Sequence, residues 1–399
     1  MVCTQNVTPD ILYVGGSDRR LQRFENLFPL AHGVSYNSYV LLDEKTVLID
    51  TADGNIAAQF EENVLGALGA RTLDYLVLQH MEPDHCALVA RILSIFPQVT
   101  LVGNPKTFTM LGQFFTLPDT VKKQTVAEGD TLCTGAHTLQ FFMAPMVHWP
   151  EVMVTYDQKD KVLFCADAFG TFGALDGSIF ADAYDFEKEF LPDARRYYAN
   201  IVGKYGAPAQ TLLGKAAKLD IAVLCPLHGP VWRKNIGWFV EKYQKWSTCT
   251  PEDDGAVVVF GSMYGHTESA ANAVADAVHA ISGKAVTVHD VSGTHVSTLM
   301  GEIWRCGTLV LLCPTYNGGI YPPMENLLAD MAALGVHHRT VALAENGTWA
   351  PTAARLMREK LAGMKDITVL ENTLTIKSAL FAADESKVQQ FAQEIAAAM

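Results

Sequence analysis

The chain has 399 residues, 49% of them apolar and only 18% charged, which suits about two folded domains and excludes intrinsic disorder. Its 43 acidic residues outnumber 30 basic ones, and the net charge of −13 speaks against nucleic-acid binding. No apolar run approaches the about 18 residues of a membrane span, no signal peptide is visible, and the eight cysteines form no C-x-x-C pair, so a cytoplasmic, enzyme-like protein without disulfides is expected.

Strands are expected at residues 36–42, 46–49, 73–78, 138–144, 152–156, 162–166 and 221–225. Helical periodicity marks 57–68, 87–95, 192–204 and 211–218. Many strands with intermittent helices describe a sheet sandwich covered by helices. The short polar stretch 247–254, which contains Pro251, reads as a linker. Beyond it the pattern becomes regular. Strands at 256–260, 285–289, 307–313, 340–344 and 367–371 alternate with helices at 267–282, 297–304, 322–334, 351–363 and 385–398. That alternation indicates α/β architecture with a doubly wound parallel sheet. The expected domains are 1–246 and 255–399.

His80-Met81-Glu82-Pro83-Asp84-His85 directly follows the apolar run 73–79. Four potential ligands off the end of one strand make a compact chelating hairpin, and imidazole with carboxylate suits iron, manganese or zinc. Taken alone, the cluster could equally be a helix cap and a turn. The rest of the half favours a site: His148 follows strand 138–144, Asp167 follows 162–166, and His228 follows 221–225. Core filling gives no reason to put polar residues at the same end of four strands, whereas convergence on one point does. The set suffices for two metals sharing a carboxylate.

Hydrolases of the metallo-β-lactamase fold carry H-x-H-x-D-H, but here Glu82 gives H-x-E-x-D-H. That motif, with His148, Asp167 and His228 downstream, resembles the flavodiiron proteins, or A-type flavoproteins, over nearly all of residues 1–245. The resemblance implies an αββα sandwich in which His80, Glu82 and His148 bind one iron and Asp84, His85 and His228 bind the other. Asp167 would bridge them. The counterpart of His85 is not a ligand in every member. A carboxylate in place of an imidazole adds charge and hardness, which favours iron.

In the second half, Ser262-Met263-Tyr264-Gly265-His266-Thr267 lies between a strand and a helix start, where backbone N–H groups and the helix dipole can hold a phosphate. The loop has no Lys or Arg, unlike a Walker A loop, and no G-x-G-x-x-G. Two more loops leave the carboxyl ends of neighbouring strands: Pro314-Thr315-Tyr316-Asn317-Gly318 and Asn346-Gly347-Thr348-Trp349. Together the three loops resemble the flavodoxin pattern, which implies FMN with its phosphate at 262–267 and its ring near 314–318 and Trp349. Many relatives carry Ser-x-Gly-Trp in the last loop, so the Asn346–Trp349 sequence bears on redox tuning. Cys165 and Cys225 read as packing residues, and His337 and His338 as solvated. Trp149 is either a pocket wall or packing.

A redox dimetal and a flavin on one chain imply an electron-transfer reductase of O2, NO or both. A separate electron donor is expected, rubredoxin first with coenzyme F420 as the alternative, and the resemblance further implies a head-to-tail homodimer or a dimer of dimers. One alternative is a dinuclear zinc hydrolase with an appended flavodoxin domain, which Glu82 argues against. The other is a pure electron carrier with a dead metal site, against which all seven ligand candidates stand.

Overall fold

The computed structural model describes residues 2–399 and divides into two units, one running to Tyr197 and resuming over Ala207–Gln244, the other made of Tyr198–Gly206 and Lys245–Met399. In the first unit, seven strands form a mixed sheet in the order Gln5–Asn6, Ile11–Tyr13, Tyr39–Leu42, Thr46–Ile49, Tyr75–Val77, Thr100–Gly103 and Lys122–Thr125. Five more form a second sheet in the order Thr131–Cys133, Thr138–Met143, Met153–Asp157, Val162–Phe164 and Val223–Cys225. The sheets meet through buried apolar side chains: Tyr39 of the first sheet packs its ring 5.3 Å from that of Phe164 in the second, and its hydroxyl donates to Pro226 O. Helices such as Ala57–Leu68 and Pro105–Phe114 complete the αββα sandwich.

Several elements differ from the sequence expectation for identifiable reasons. The strand expected at 36–42 is two strands, Val34–Tyr36 and Tyr39–Leu42. Asn37 breaks it by donating to Pro226 O and Gly229 O, and Ser38 by donating to Ile49 O and Asp50 O. Lys122–Thr125 escaped notice because it is a polar edge strand, and lysines there blunt an otherwise open edge. Helix Pro105–Phe114 had its signal in plain view: Asn104 caps it, accepting from Lys106 N and Thr107 N, with Pro105 at its first position. The helix expected at 192–204 ends at Tyr197 and widens into a π turn over Tyr198–Val202.

The second unit is a parallel sheet in the order Val286–Asp290, Asp253–Phe260, Cys306–Tyr316, Arg339–Asn346, Ile367–Ile376. The first strand in sequence lies second, so the order reverses between Asp253–Phe260 and Cys306–Tyr316, the switch point of a doubly wound sheet. Val258, Val310, Ala342 and Leu374 face helices His266–Ser282 and Glu385–Ala397 across one buried face. Asp253 and Asp254, within the expected linker, already belong to the first strand, and Cys249 is buried with its carbonyl accepting from Arg339 Nη1. Gly203, which opens the 3-10 turn Gly203–Tyr205 after the π turn, lies against the Trp304 indole, where a Cβ would meet the ring at 3.1 Å.

Candidate metal and flavin sites

Four strands of the first unit end at the same place, and each delivers a polar side chain there. Tyr75–Val77 leads to His80, after which Glu82 caps a short helix, Pro83–Cys86, that carries Asp84 and His85. Thr138–Met143, Val162–Phe164 and Val223–Cys225 lead to His148, Asp167 and His228. All seven expected residues come together, in two groups. In the first, His80 Nε2 lies 3.3 Å from both Glu82 Oε2 and Asp167 Oδ2, and His148 Nε2 lies 3.0 and 3.1 Å from the same two oxygens. In the second, His85 Nε2 lies 3.1 Å from His228 Nε2, 3.4 Å from Asp84 Oδ1 and 3.2 Å from Asp167 Oδ1. His228 Nε2 lies 3.3 Å from Asp84 Oδ2 and 3.7 Å from Asp167 Oδ1. The two oxygens of Asp167 therefore face different groups.

These spacings suit cations. Ligand bonds of about 2.0–2.2 Å put neighbouring donor atoms about 3 Å apart. Both Asp84 oxygens and Asp167 Oδ1 are buried and accept no hydrogen bond, a costly arrangement unless positive charge compensates it. The ring orientations are fixed from behind. His80 Nδ1 donates to Glu151 Oε1 at 2.9 Å and His228 Nδ1 donates to Ser35 O at 2.8 Å, so each Nε2 is left facing the group. Asp50 anchors the loop by accepting from Gln79 N at 2.7 Å and Gln79 Nε2 at 3.0 Å.

In the second unit, the three expected loops line one cleft of ≈ 460 Å³ at the carboxyl end of the sheet. Ser262, Met263, Tyr264, His266, Thr267, Pro314, Thr315, Tyr316, Asn317, Gly318, Asn346, Gly347 and Trp349 all line it, and no Lys, Arg, Asp or Glu does. Gly265 does not line the cleft but shapes it: with φ 88° it caps helix His266–Ser282, leaving the helix's first N–H groups without a side-chain cap. A phosphate is the fitting occupant of such an end. Thr315 has a second task, since its hydroxyl accepts from Thr352 N and Ala353 N at the start of helix Ala353–Leu361. Asn346 Nδ2 donates to Thr267 Oγ1 at 3.2 Å and to Ser378 O at 3.0 Å, tying two loops to a fourth that the sequence reading missed. Ser378 follows its strand as the other loop residues do, so the signal existed.

Each unit matches a known family model. An ODP family beta lactamase model matches residues 34–229 and a flavodoxin model matches residues 258–394. The anaerobic nitric oxide reductase flavorubredoxin of Vibrio vulnificus is 30% identical over 336 residues, which cover 83% of this chain and 67% of that protein. The nitric oxide reductase of Moorella thermoacetica is 28% identical over 402 residues, 98% of each chain. The structure of rubredoxin oxygen:oxidoreductase from Desulfovibrio gigas superimposes with a TM-score of 0.92 at 26% identity, covering 99% of this chain and 98% of that one. The chain belongs to the flavodiiron family.

Around the dimetal pocket of this flavodiiron protein lie residues that sequence reasoning did not single out. Tyr197 is buried with its ring 5.6 Å from that of His228, and its hydroxyl has no hydrogen-bond partner. Burial and then the charges of Asp167, Glu82 and Asp84 hold that hydroxyl well above its usual range, so it stays an O–H donor. Glu25 is exposed overall, but burial of its carboxyl and then the neighbouring Glu82 push it up to about 8. Trp149 packs edge-on against His80 at 5.3 Å and so walls the pocket. Asp50 was legible by the same rule as the ligands, being the first residue after strand Thr46–Ile49. Cys165 and Cys225 are buried packing residues, as expected.

The histidines fix a pH dependence for the metal-free protein. Burial would lower His85 and His148, but Asp84 and Asp167 raise the first, and Asp167 and Glu82 the second, each to about 9. His80 stays well above its usual value: burial again opposes the shift and Asp167 drives it. A folded-state value above the unfolded one stabilises below about pH 6.5, and that stability fades as pH rises through about 9. Metal-free protein should thus lose stability between pH 6.5 and 9, and metal-loaded protein should not, because the metals replace those protons. Loading at pH 7 should release about three protons, which a weakly buffered titration would count. Loading without proton release would contradict this charge assignment.

Proposed function

We propose that this flavodiiron protein reduces O2 to water, NO to N2O, or both, at a pair of irons held by His80, Glu82, Asp84, His85, His148, Asp167 and His228, with electrons relayed through FMN. The observation that carries the reading is Asp167, whose two buried oxygens each face one of two matched groups of donor atoms. When bound, the irons and flavin supply together the four electrons that turn one O2 into two waters, or the two that turn two NO into N2O and water. The chain's own residues do the rest. Glu82 and Asp84 each give one group its own carboxylate, and Glu151 and Ser35 hold His80 and His228 in the ligating tautomer. Tyr197 keeps an O–H donor in the buried pocket, and Trp149 and Phe24 exclude water around His80 and His228.

The flavin phosphate would sit at the N-terminus of His266–Ser282 with Thr267, and its ring between the 314–318 and 346–349 loops. Tyr264 and Trp349, 88% and 90% exposed, form an apolar rim at this cleft. That rim supports a head-to-tail homodimer, or a dimer of such dimers, in which a second copy covers the flavin. The donor is a separate rubredoxin, in keeping with the relative named for that oxidoreduction. Eight free cysteines fit a reducing, cytoplasmic setting. We place the domains at 1–246 and 255–399 with 247–254 between them, the last two residues of that stretch, Asp253 and Asp254, already lying in the first strand of the second domain's sheet. Anaerobic turnover with reduced rubredoxin, on adding O2 or NO, tests the function. Acceptor should be consumed at four electrons per O2 or one per NO. Fully loaded protein that consumes neither would overturn the reading.

A further inference from the structure

The two groups of donors are matched in their inner composition. Each has two histidines and one carboxylate of its own, and each shares Asp167. What lies behind the rings is not matched. His80 Nδ1 donates to Glu151 Oε1 at 2.9 Å, and both side chains are fully buried. The same oxygen also accepts from Met81 N at 2.8 Å, while Glu151 Oε2 is buried with no partner. Behind the other group, His228 Nδ1 meets only the neutral carbonyl of Ser35, and His85 Nδ1 has no partner at all. Asp50 is a buried carboxylate whose charge acts on His85, but it bonds the amide of Gln79 and backbone N–H groups and no imidazole ring, so the direct carboxylate–imidazole bond is found behind His80.

From this difference we propose that Glu151 is a positioning residue that makes the two metal positions unequal: the position of His80, Glu82 and His148 binds its metal more tightly and gives up an electron first. A carboxylate accepting the Nδ1 proton draws that proton away and makes Nε2 a stronger donor, whereas a carbonyl does so less. A buried negative charge also favours the higher charge on the neighbouring metal, because little water screens it. The electron step is ferrous iron to ferric iron plus one electron, which reduces one ferricyanide to ferrocyanide in the experiment below. Glu151 remains a carboxylate throughout.

This inference rests on the diiron reading, and the test separates the two. Metal-free wild-type protein titrated with cobalt(II) should bind two ions with resolved affinities. In Glu151→Gln, which keeps the shape and removes the charge, the tighter step should weaken about 10–100-fold and the weaker step should move little. In iron-loaded protein titrated anaerobically with ferricyanide, the first oxidation should become harder by at least about tenfold in ferric-to-ferrous ratio, or 59 mV for one electron. Glu151→Asp, which retains the charge, should keep the order and most of the spacing. Wild-type protein that binds fewer than two ions sinks the diiron reading. Two equal steps in the wild type, equal shifts of both steps in Glu151→Gln, or loss of the spacing in folded Glu151→Asp would overturn the role of Glu151 alone. Should Glu151→Gln fail to fold, Glu151→Asp and the wild type still decide it.

Discussion

Asp167→Ala should strip both metals from the protein and abolish turnover. Asp167 is 1% exposed and stands just beyond strand Val162–Phe164, with one oxygen toward His80 and His148 and the other toward His85 and His228. Burial alone would push its carboxyl up, but the charges on His85 and His80 and the bond from His148 hold it well below the usual range. It is therefore an anion in the metal-free site and, among the described residues, the only side chain with a carboxylate oxygen toward each group. Removing it leaves like-charged histidines and, on loading, two cations without their shared counter-charge. The loss of metal affinity should exceed the about 100-fold typical of removing an outer partner. His85→Ala removes one nitrogen from one group, a place that water can fill, and should retain more iron. Iron per chain after dialysis against a chelator measures both. Equal retention in the two variants would contradict the shared role of Asp167.

Thr267→Asp should give a folded, iron-loaded but colourless and inactive protein. Thr267 is 3% exposed, in the first turn of helix His266–Ser282. A carboxylate there suits the helix dipole, so the fold tolerates it. The same carboxylate would stand in the place proposed for the flavin phosphate and repel it. Like charges brought together cost several kcal/mol, so FMN affinity should fall at least about 100-fold. Flavin absorbance and FMN fluorescence titration check this, and one FMN per purified chain would contradict it. The variant also serves the dimer. Mixed with Asp167→Ala under subunit exchange, it should restore activity toward half the wild-type level if flavin serves the iron of the other copy. Mixed dimers that form and stay silent would place transfer within one chain.

The metal site was legible because its chemistry is concentrated at strand ends, where polar residues break apolar runs. Glu82 and Asp84 stand out between histidines, and His148, Asp167 and His228 each follow a readable strand. The residues behind them were harder. Glu151 is a lone carboxylate three positions after His148, and only the tertiary structure brings its oxygen to His80. Tyr197 sits in a helix whose aromatic residues are equally well explained by packing. In the second unit the regular alternation of strand and helix gave the sheet directly. What it hid was how far the strands run: Cys306–Tyr316 extends into the polar loop sequence after 313, and Ile367–Ile376 runs five residues beyond the expected 371. The linker's end differs for the same reason, since the acidic Asp253 and Asp254 resemble solvent-facing chain but open the strand, where Asp253 pairs with Cys306.

The most direct test of a diiron flavoenzyme is the metal and flavin content of protein purified gently from iron-replete cells. Elemental analysis with flavin absorbance should give about two irons and one FMN per chain, with zinc far below stoichiometric. Stoichiometric zinc in place of iron would point instead to a hydrolase of the same fold, and a colourless protein would remove the electron entry on which the account depends.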